Sequence, residues 1–325
     1  MFRILVVLLL LAACNKSTDT PALPSWGAGD HRDQILAFVD DISDVNSPNF
    51  VPAEDRIAVF DNDGTLWCEK PLYPHFFVLF NQVEKKIKLD PALKNQEPYK
   101  SLHNFIATKD PRSLAYFVEA YEKGEFNFIV GQLMGVPFEG MSPEEFSKEM
   151  HSFYNTWKHP KFNTDLDGLT YQPMKELVNL LKQNDFKVYI FTADEGAFLK
   201  LYSQELYGIL PEHVHGTDVE MNYQEGQLFR TDQGQYLDNW DAKARKIFQI
   251  VGKQPILAAG NSNGDFEMLQ YTTTSNPYNS LSIMIHHTDS LREFKYDSHT
   301  ERVLPYARKN GYVVVDMEKD WITIF

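Results

Sequence analysis

The chain has 325 residues, 43% of them hydrophobic, enough for a large buried core in one or two globular domains. Its formal net charge is −14, from 31 basic and 45 acidic side chains. This excess of acid argues against nucleic acid as a partner, because binding a polyanion requires a basic face. We therefore expect any phosphate ligand to be small and held by a few local groups.

The N-terminus has the pattern of an export signal. A short positive end with Arg3 precedes an apolar run over residues 4–13, and small residues follow before a cysteine. Ten apolar residues are too few to cross a hydrocarbon core of about 30 Å as a helix. We expect residues 1–13 to be a signal peptide rather than a retained membrane anchor.

The sequence Leu-Ala-Ala-Cys at residues 11–14 resembles the bacterial lipobox. That resemblance implies cleavage before Cys14 and lipidation of its thiol, with a plain signal peptide as the alternative. Residues 14–32 are then expected to form a flexible, lipidated tether. The predicted location is the periplasm, with the membrane contacted only through the lipid. Asn15 favours the outer membrane, by resemblance to the sorting rule of enteric bacteria.

Short apolar runs alternate with helical stretches along the rest of the chain. Each run is brief and apolar, as expected of strands buried on both faces of a parallel sheet. The candidate strands are residues 57–61, 188–192, 256–259, 282–286 and 312–315. The predicted fold class is α/β, a doubly wound parallel sheet with an inserted helical cap. We assign residues 33–66 and 169–325 to the core domain.

Residues 67–168 are predicted to be the helical cap, because the first two strands lie too far apart for one crossover helix. The clearest helix in this insert begins at Ser142, where Pro143 and Glu145 complete a capping box. It should end near Trp157. Aromatic residues are frequent throughout the insert, and we expect most of them to form its core.

The first predicted strand leads into Asp61-Asn62-Asp63-Gly64-Thr65. Ligand sites in open α/β sheets lie at the carboxyl ends of strands. Two carboxylates so close would repel each other unless a cation lay beside them, and oxygen ligands suit a hard cation. Taken alone, the same residues are equally compatible with an Asp-rich turn that ends a strand.

Three further elements carry groups that could contact a phosphate. Thr192 ends the second predicted strand with a hydroxyl, before an expected helix over residues 195–206. Lys243, Arg245 and Lys246 form a cationic cluster near the start of a later helix. The run at residues 255–265 then enters a glycine-rich turn. Glycine there permits close backbone approach to a ligand, while Asn261 and Asp265 supply oxygens.

This ordered set resembles the haloacid dehalogenase superfamily, in the branch similar to phosphoserine phosphatase. The resemblance covers roughly residues 55–325. It implies a magnesium-dependent hydrolase in which Asp61 attacks a phosphate monoester and Asp63 transfers the proton. We expect catalytic roles for Asp61, Asp63, Thr192 and Lys243. Expected substrate contacts are Thr65, Glu69, Thr192 and Lys243, and expected magnesium ligands are Asp61, Asp63, Asn261 and Asp265.

One departure from the superfamily pattern and one uncertain assignment keep alternatives open. Asn261 stands where the superfamily has an aspartate, which removes a negative charge from the metal site. A phosphate-binding lipoprotein without turnover is therefore one alternative, and a phosphotransferase on the same fold is another. The choice among Lys243, Arg245 and Lys246 rests on spacing alone.

The remaining polar residues near these elements are ambiguous. Glu69 is either a substrate contact or a solvated acid. His286 and His287, near Asp289, suggest a metal pair, but adjacent strand residues point to opposite faces, so a structural role is expected. Cys68 is expected to be a small buried side chain rather than a second nucleophile.

Overall fold

The computed structural model describes residues 22–325, and within this range seven strands form one sheet. The strands are β1 (Ile57–Phe60), β2 (Lys187–Glu195), β3 (Val214–Gln224), β4 (Gln227–Tyr236), β5 (Leu257–Gly260), β6 (Leu281–His286) and β7 (Val313–Asp316). Their order is β4-β3-β2-β1-β5-β6-β7, parallel except for β4, which pairs antiparallel with β3. The α/β fold class and all five predicted strands are confirmed.

The helices surround this sheet. They are α1 (Asp30–Ser43), α2 (Pro74–Leu89), α3 (Tyr99–Thr108), α4 (Ala115–Glu122), α5 (Phe126–Val130), α6 (Pro143–Tyr154), α7 (Gln172–Gln183), α8 (Gly196–Lys200), α9 (Ser203–Tyr207), α10 (Asp241–Val251), α11 (Phe266–Thr273), α12 (Val303–Lys309) and α13 (Met317–Asp320). None of these helices in residues 22–325 is both long and apolar enough to cross a membrane.

Strand β1 lies at the centre of the sheet because all four of its side chains are apolar and buried. Phe60 at its carboxyl end pairs with Ile190 of β2 on one side and Ala259 of β5 on the other. The carboxyl ends of the parallel neighbours β1 and β5 lie at the same edge of the sheet. The order of successive strands changes direction between these two strands. Such a switch point opens a crevice for ligands.

The segment between β1 and β2 is helical, from α2 to α6. Helix α6 begins with the predicted capping box, in which Ser142 and Glu145 satisfy each other's backbone N–H groups. This helical insert also packs on strand β4 by backbone contact. A Cβ on Gly131 would lie 2.4 Å from the Asp232 carbonyl oxygen, and one on Gly234 would lie 2.1 Å from that of Asn127. Glycine at both positions is what lets the two elements approach.

Three expectations differ from the structure. The hairpin β3–β4 was not predicted, because its outer half is polar and exposed. Strand β2 continues to Glu195, so Thr192 lies inside the strand, and two short helices, α8 and α9, replace the single helix expected over residues 195–206. The shape of the sheet edge around Thr192 changes accordingly.

The expectations for the N-terminus can be compared with the structure only from residue 22 onwards. The signal peptide, Cys14 and the first part of the tether lie outside the described residues. Residues 22–30 do not form the expected tether: Trp26 is buried, bridges Trp321 by backbone pairing, and donates its indole N–H to the Pro173 carbonyl at 2.9 Å. The buried side chains of Leu23 and Trp26 anchor this end to the core.

Candidate active site

The site is built around a buried ammonium between two carboxylates. Asp61 follows β1 and donates its backbone N–H to the Ala259 carbonyl, which fixes it at the edge of the sheet. Lys243, on the first turns of α10, donates from Nζ to Asp61 Oδ1 and to Asp265 Oδ1, both at 2.6 Å. Three segments far apart in sequence therefore meet at the crevice predicted from the strand order.

The geometry distinguishes the three candidate cations. Lys243 is only 1% exposed and contacts the pair of carboxylates, whereas Arg245 pairs with Asp241 on the outside of α10. Lys246 binds Asp218 and the backbone of the neighbouring strand. Burial works against the charged form of Lys243, but the charges of its two carboxylate partners outweigh burial and raise its pKa. Lys243 stays protonated at the centre of the site.

The pKa of Asp61 is raised to about 7, first by burial and then by the charge of Asp265, although Lys243 acts in the opposite direction. The pKa of Asp63 is raised well above its usual range by burial, then by the charges of Asp194 and Asp61. Asp63 is therefore suited to hold a proton at neutral pH. Its side chain accepts hydrogen bonds from Trp67 Nε1 at 2.8 Å and Thr192 Oγ1 at 3.3 Å.

The two threonines expected to contact substrate lie behind the site. Thr192 is fully buried, donates to Asp63 and accepts the backbone N–H of Asp194 at 3.0 Å. Thr65 is also fully buried and donates to Asn261 Oδ1 at 3.3 Å. Neither hydroxyl lines the pocket, because the Thr192 hydroxyl donates to the Asp63 carboxylate and the Thr65 hydroxyl donates to the Asn261 amide oxygen. Thr192 orients Asp63, and Thr65 orients Asn261.

Asp265 contacts Lys243 and the backbone of its own loop. One carboxylate oxygen accepts from Lys243, and the other accepts the backbone N–H groups of Asn261 and Ser262 at 3.0 Å. Asp265 therefore holds the lysine and shapes the loop, and its expected role as a magnesium ligand stays a prediction. Asn261 faces the loop that follows β1, where a Cβ on Gly64 would lie 2.0 Å from its Nδ2. Only glycine fits beside this amide.

The residues present fit a single magnesium ion, although within residues 22–325 no three His, Cys, Asp or Glu side chains form a metal-binding group. Asp61 and Asn261 offer a carboxylate and an amide at the ends of neighbouring strands β1 and β5. The pocket beside Asp61 is lined by four carboxylates, and Lys243 is the single ammonium among its described lining residues. This excess of negative charge is what a divalent cation would offset.

Glu69 lies in the wall of this pocket, whose volume is about 150 Å³. Its carboxylate is buried and 3.2 Å from Lys70 Nζ. The structure thus places Glu69 beside the site and removes the solvated alternative. Tyr73, Phe76 and Met134 continue the wall towards the helical insert.

Of the other ambiguous residues, His287 contacts the loop that follows β1. His287 is buried and donates from Nε2 to the Gly64 carbonyl oxygen at 2.8 Å, with its ring stacked on Tyr296. His286 points elsewhere and pairs with Asp297. Cys68 is buried, and burial raises the pKa of its thiol. These positions agree with the expected structural roles.

The sequence did not reveal a second buried ion cluster next to the pocket. His75 of α2 lies with Nδ1 2.8 Å from Asp194 Oδ1 and with Nε2 3.5 Å from Glu195 Oε2. Arg230 of β4 donates to Glu195 at 2.5 Å and to the Met134 carbonyl at 2.7 Å. We name this set, His75, Asp194, Glu195 and Arg230, the sealed cluster. Asp194 lies two residues after Thr192 on one strand, and that period is the signal that could have revealed it.

Comparisons with known proteins bear on the fold and the family. A conserved functionally unknown protein from Anaerococcus prevotii DSM 20548 is similar at a TM-score of 0.56 and 13% identity, over 90% of this chain and 95% of that one. A protein with unknown function from Bordetella pertussis Tohama I gives 0.52 and 15%, over 81% and 98%. Both similarities show a shared fold.

A phosphoserine phosphohydrolase-like protein from Francisella tularensis subsp. tularensis SCHU S4 aligns at a TM-score of 0.41 and 15% identity, over 80% of this chain and 94% of that one. A comparison with curated proteins gives no match. A family profile described as haloacid dehalogenase-like hydrolase matches residues 58–270, which include Asp61, Asp63, Lys243, Asn261 and Asp265. The chain therefore belongs to the haloacid dehalogenase-like hydrolases.

Proposed function

We propose that the protein hydrolyses a phosphate monoester through a covalent phosphoryl group on Asp61. The observation that carries the proposal is the Lys243 ammonium held at 2.6 Å from both Asp61 and Asp265 inside a pocket rich in carboxylates. An ammonium fixed beside a carboxylate can draw the anionic phosphoryl group to that carboxylate and offset charge during transfer. A surface lysine would not be organised in this way.

In the proposed reaction an oxygen of Asp61 bonds to phosphorus as the bond to the ester oxygen breaks. Asp63 enters protonated, as its raised pKa allows, and gives its proton to the departing alcohol. The resulting Asp63 carboxylate then takes a proton from water, whose oxygen attacks phosphorus and releases Asp61 and inorganic phosphate. Trp67 and Thr192 hold Asp63 in place for both transfers.

Asp61 and Asn261 would hold the magnesium ion that we propose as the cofactor. When bound, the ion supplies positive charge against the phosphoryl oxygens. Lys243 provides the permanent part of this charge, and Asp265 keeps it aimed at Asp61. The chain itself thus contributes nucleophile, proton carrier and fixed ammonium.

The proposed setting is the periplasm, with a lipid on Cys14 and no nucleic-acid partner. This part rests on residues 1–14 and on the net charge of −14. Mass spectrometry of the exported protein tests it: a lipidated cysteine at position 14 is expected, and an unmodified Cys14 would contradict the anchor.

The activity is tested by phosphate release from p-nitrophenyl phosphate and a panel of esters, with and without magnesium. We expect metal-dependent release that falls about a thousandfold or more in Asp61→Asn, because an amide is a poor nucleophile. The matched control is Asp241→Asn, which changes an exposed carboxylate on the helix that carries Lys243. If Asp61→Asn kept more than about a tenth of the rate, another residue would be the nucleophile.

A further inference from the structure

A large chamber adjoins the catalytic pocket and has no role in the reaction described above. Its volume is about 850 Å³, against about 150 Å³ for the pocket that contains Asp61. The two cavities share part of their wall, including Glu69, Tyr73, Phe76 and Met134. A group bonded to a phosphoryl at Asp61 can therefore extend directly from the pocket into the chamber.

The chamber wall away from the sheet is apolar and aromatic. Helices α4 and α5 and the turn after them contribute most of it, and Tyr121, Phe126, Ile129 and Leu133 are the main side chains. Tyr121 remains 56% exposed although it borders this cavity. Partly exposed aromatic surface around a concave site is typical of ligand binding rather than of a folded core.

Trp240 completes the wall in a backbone conformation that is costly for a bulky residue, with φ of 54°. Its N–H donates to the Gly264 carbonyl at 3.1 Å, and its ring lies 5.4 Å from that of Phe126. Trp240 lies three residues before Lys243. It thus connects the insert to the loop that carries Asn261. Backbone strain held in this way places the indole on the path out of the catalytic pocket.

The charges of the wall restrict the ligand further. No lysine or arginine lies among the described residues that line the chamber, and Glu69 lies where the chamber meets the pocket. Glu69 is paired with Lys70 Nζ at 3.2 Å, and His299 is the one basic side chain in the described lining, so a second anionic group on the substrate would find no permanent counter-charge in the chamber wall. Apolar contacts are the main interaction that the chamber offers.

From these observations we propose that the chamber binds the leaving group of the ester, and that this group is an extended alkyl or aryl alcohol without negative charge. The inference rests on the proposed phosphatase activity and specifies its substrate class. Each methylene buried in the chamber contributes up to about 0.8 kcal/mol to binding, a limit of roughly fourfold in affinity.

A homologous series of alkyl phosphates tests the inference at constant leaving-group chemistry. We expect kcat/KM to rise at least about tenfold from ethyl to hexyl phosphate, well inside the limit of fourfold per methylene. An ester of 6-hydroxyhexanoate, which ends in a carboxylate, should lose that gain. Equal kcat/KM across the series would overturn the chamber assignment while leaving the phosphatase proposal intact.

Two variants localise the effect. Leu133→Asp should remove the preference for hexyl over ethyl phosphate, whereas Leu291→Asp, at an exposed leucine outside the chamber, should retain it. Ile129→Ser is the milder substitute if Leu133→Asp fails to fold. A hexyl preference that survives in folded Leu133→Asp and Ile129→Ser would place the alkyl chain elsewhere and contradict the proposal.

Binding measured without turnover separates the two proposals. Calorimetry of wild-type protein with ethylphosphonate and hexylphosphonate should show tighter binding of the longer ligand, again by at least about tenfold. Loss of phosphate release from every ester, with hexylphosphonate still preferred, would refute the phosphatase and support the chamber. Equal binding of both phosphonates would refute the chamber.

Discussion

Two buried ion clusters lie side by side in this protein, and they differ in charge balance. The sealed cluster pairs His75 and Arg230 with Asp194 and Glu195, two potential cations with two carboxylates. Burial disfavours protonated His75, but the charge of Asp194 and its hydrogen bond, with Glu195, raise the His75 pKa above its ordinary value. Each charge in the sealed cluster has a partner.

The open cluster at the pocket is unbalanced. Asp61 and Asp265 share one ammonium, that of Lys243, and burial, followed by the charges of neighbouring carboxylates, raises the pKa values of Asp61 and Asp63. The unpaired negative charge costs stability, and it leaves room for a cation and a proton to take part in chemistry. The sealed cluster instead joins the insert, β2 and β4, and so fixes the wall against which a substrate would bind.

The largest predicted effect comes from breaking the sealed cluster. Arg230→Met removes the partner of Glu195 in a site that water does not reach, and should lower the free energy of unfolding by about 3–5 kcal/mol. Urea unfolding measures it. Arg245→Met is the control, because its exposed pair with Asp241 contributes at most about 1 kcal/mol. Equal losses in the two variants would mean that the sealed cluster does not hold the elements together.

A lone carboxylate near Lys243 extends the comparison. Asp238 is fully buried, neither of its oxygens has a hydrogen-bond partner among the described residues, and burial raises its pKa from 3.8 to about 6. Because the folded state holds this proton more tightly than the unfolded state, the acid's contribution is lost as pH rises from about 4 to 6.

Asp238→Asn should therefore raise the free energy of unfolding by about 3 kcal/mol at pH 8 and by less than about 1 kcal/mol at pH 4. Urea unfolding at the two pH values measures the difference, with Asp241→Asn as the exposed control. A gain of the same size at both pH values would show that removing the Asp238 charge is not its source.

The smallest effect compares one acid-to-amide change in each cluster. With a metal chelator present at pH 8, Asp61→Asn removes part of the uncompensated negative charge of the open cluster. The substitution should raise the free energy of unfolding by about 1 kcal/mol. Glu195→Gln removes a balanced charge, leaves Arg230 underpaired and should lower it. Urea unfolding of both proteins reads out the sign, and changes of the same sign would remove the distinction between the clusters.

The parts of the molecule that local patterns specify were predictable. The buried strands are continuous apolar runs, and Asp61, Lys243 and Asn261 follow or face them at family-like spacings. Hairpin β3–β4 was missed because its strands are polar, although Glu225 and Gly226, both at positive φ, form the two-residue turn that could have indicated it.

Pairings across the fold could not be predicted. His75 and Asp194 are 119 residues apart, and nothing local marks them as partners. The roles of Thr192 and Asp265 likewise depend on which neighbouring groups form hydrogen bonds with their polar atoms. Sequence located the chemistry at the strand ends, while tertiary contacts decided which side chains remain free to bind a ligand.

The covalent phosphoryl group on Asp61 is tested most directly in Asp63→Asn with p-nitrophenyl phosphate. Nitrophenolate leaves without a proton, so this variant should form the intermediate yet fail to activate water for its hydrolysis. We predict a rapid release of one nitrophenolate per protein, and mass spectrometry of the acid-quenched protein should place one phosphoryl group on Asp61. Steady turnover by the wild type with no phosphoryl group on Asp61 in either protein would contradict the mechanism.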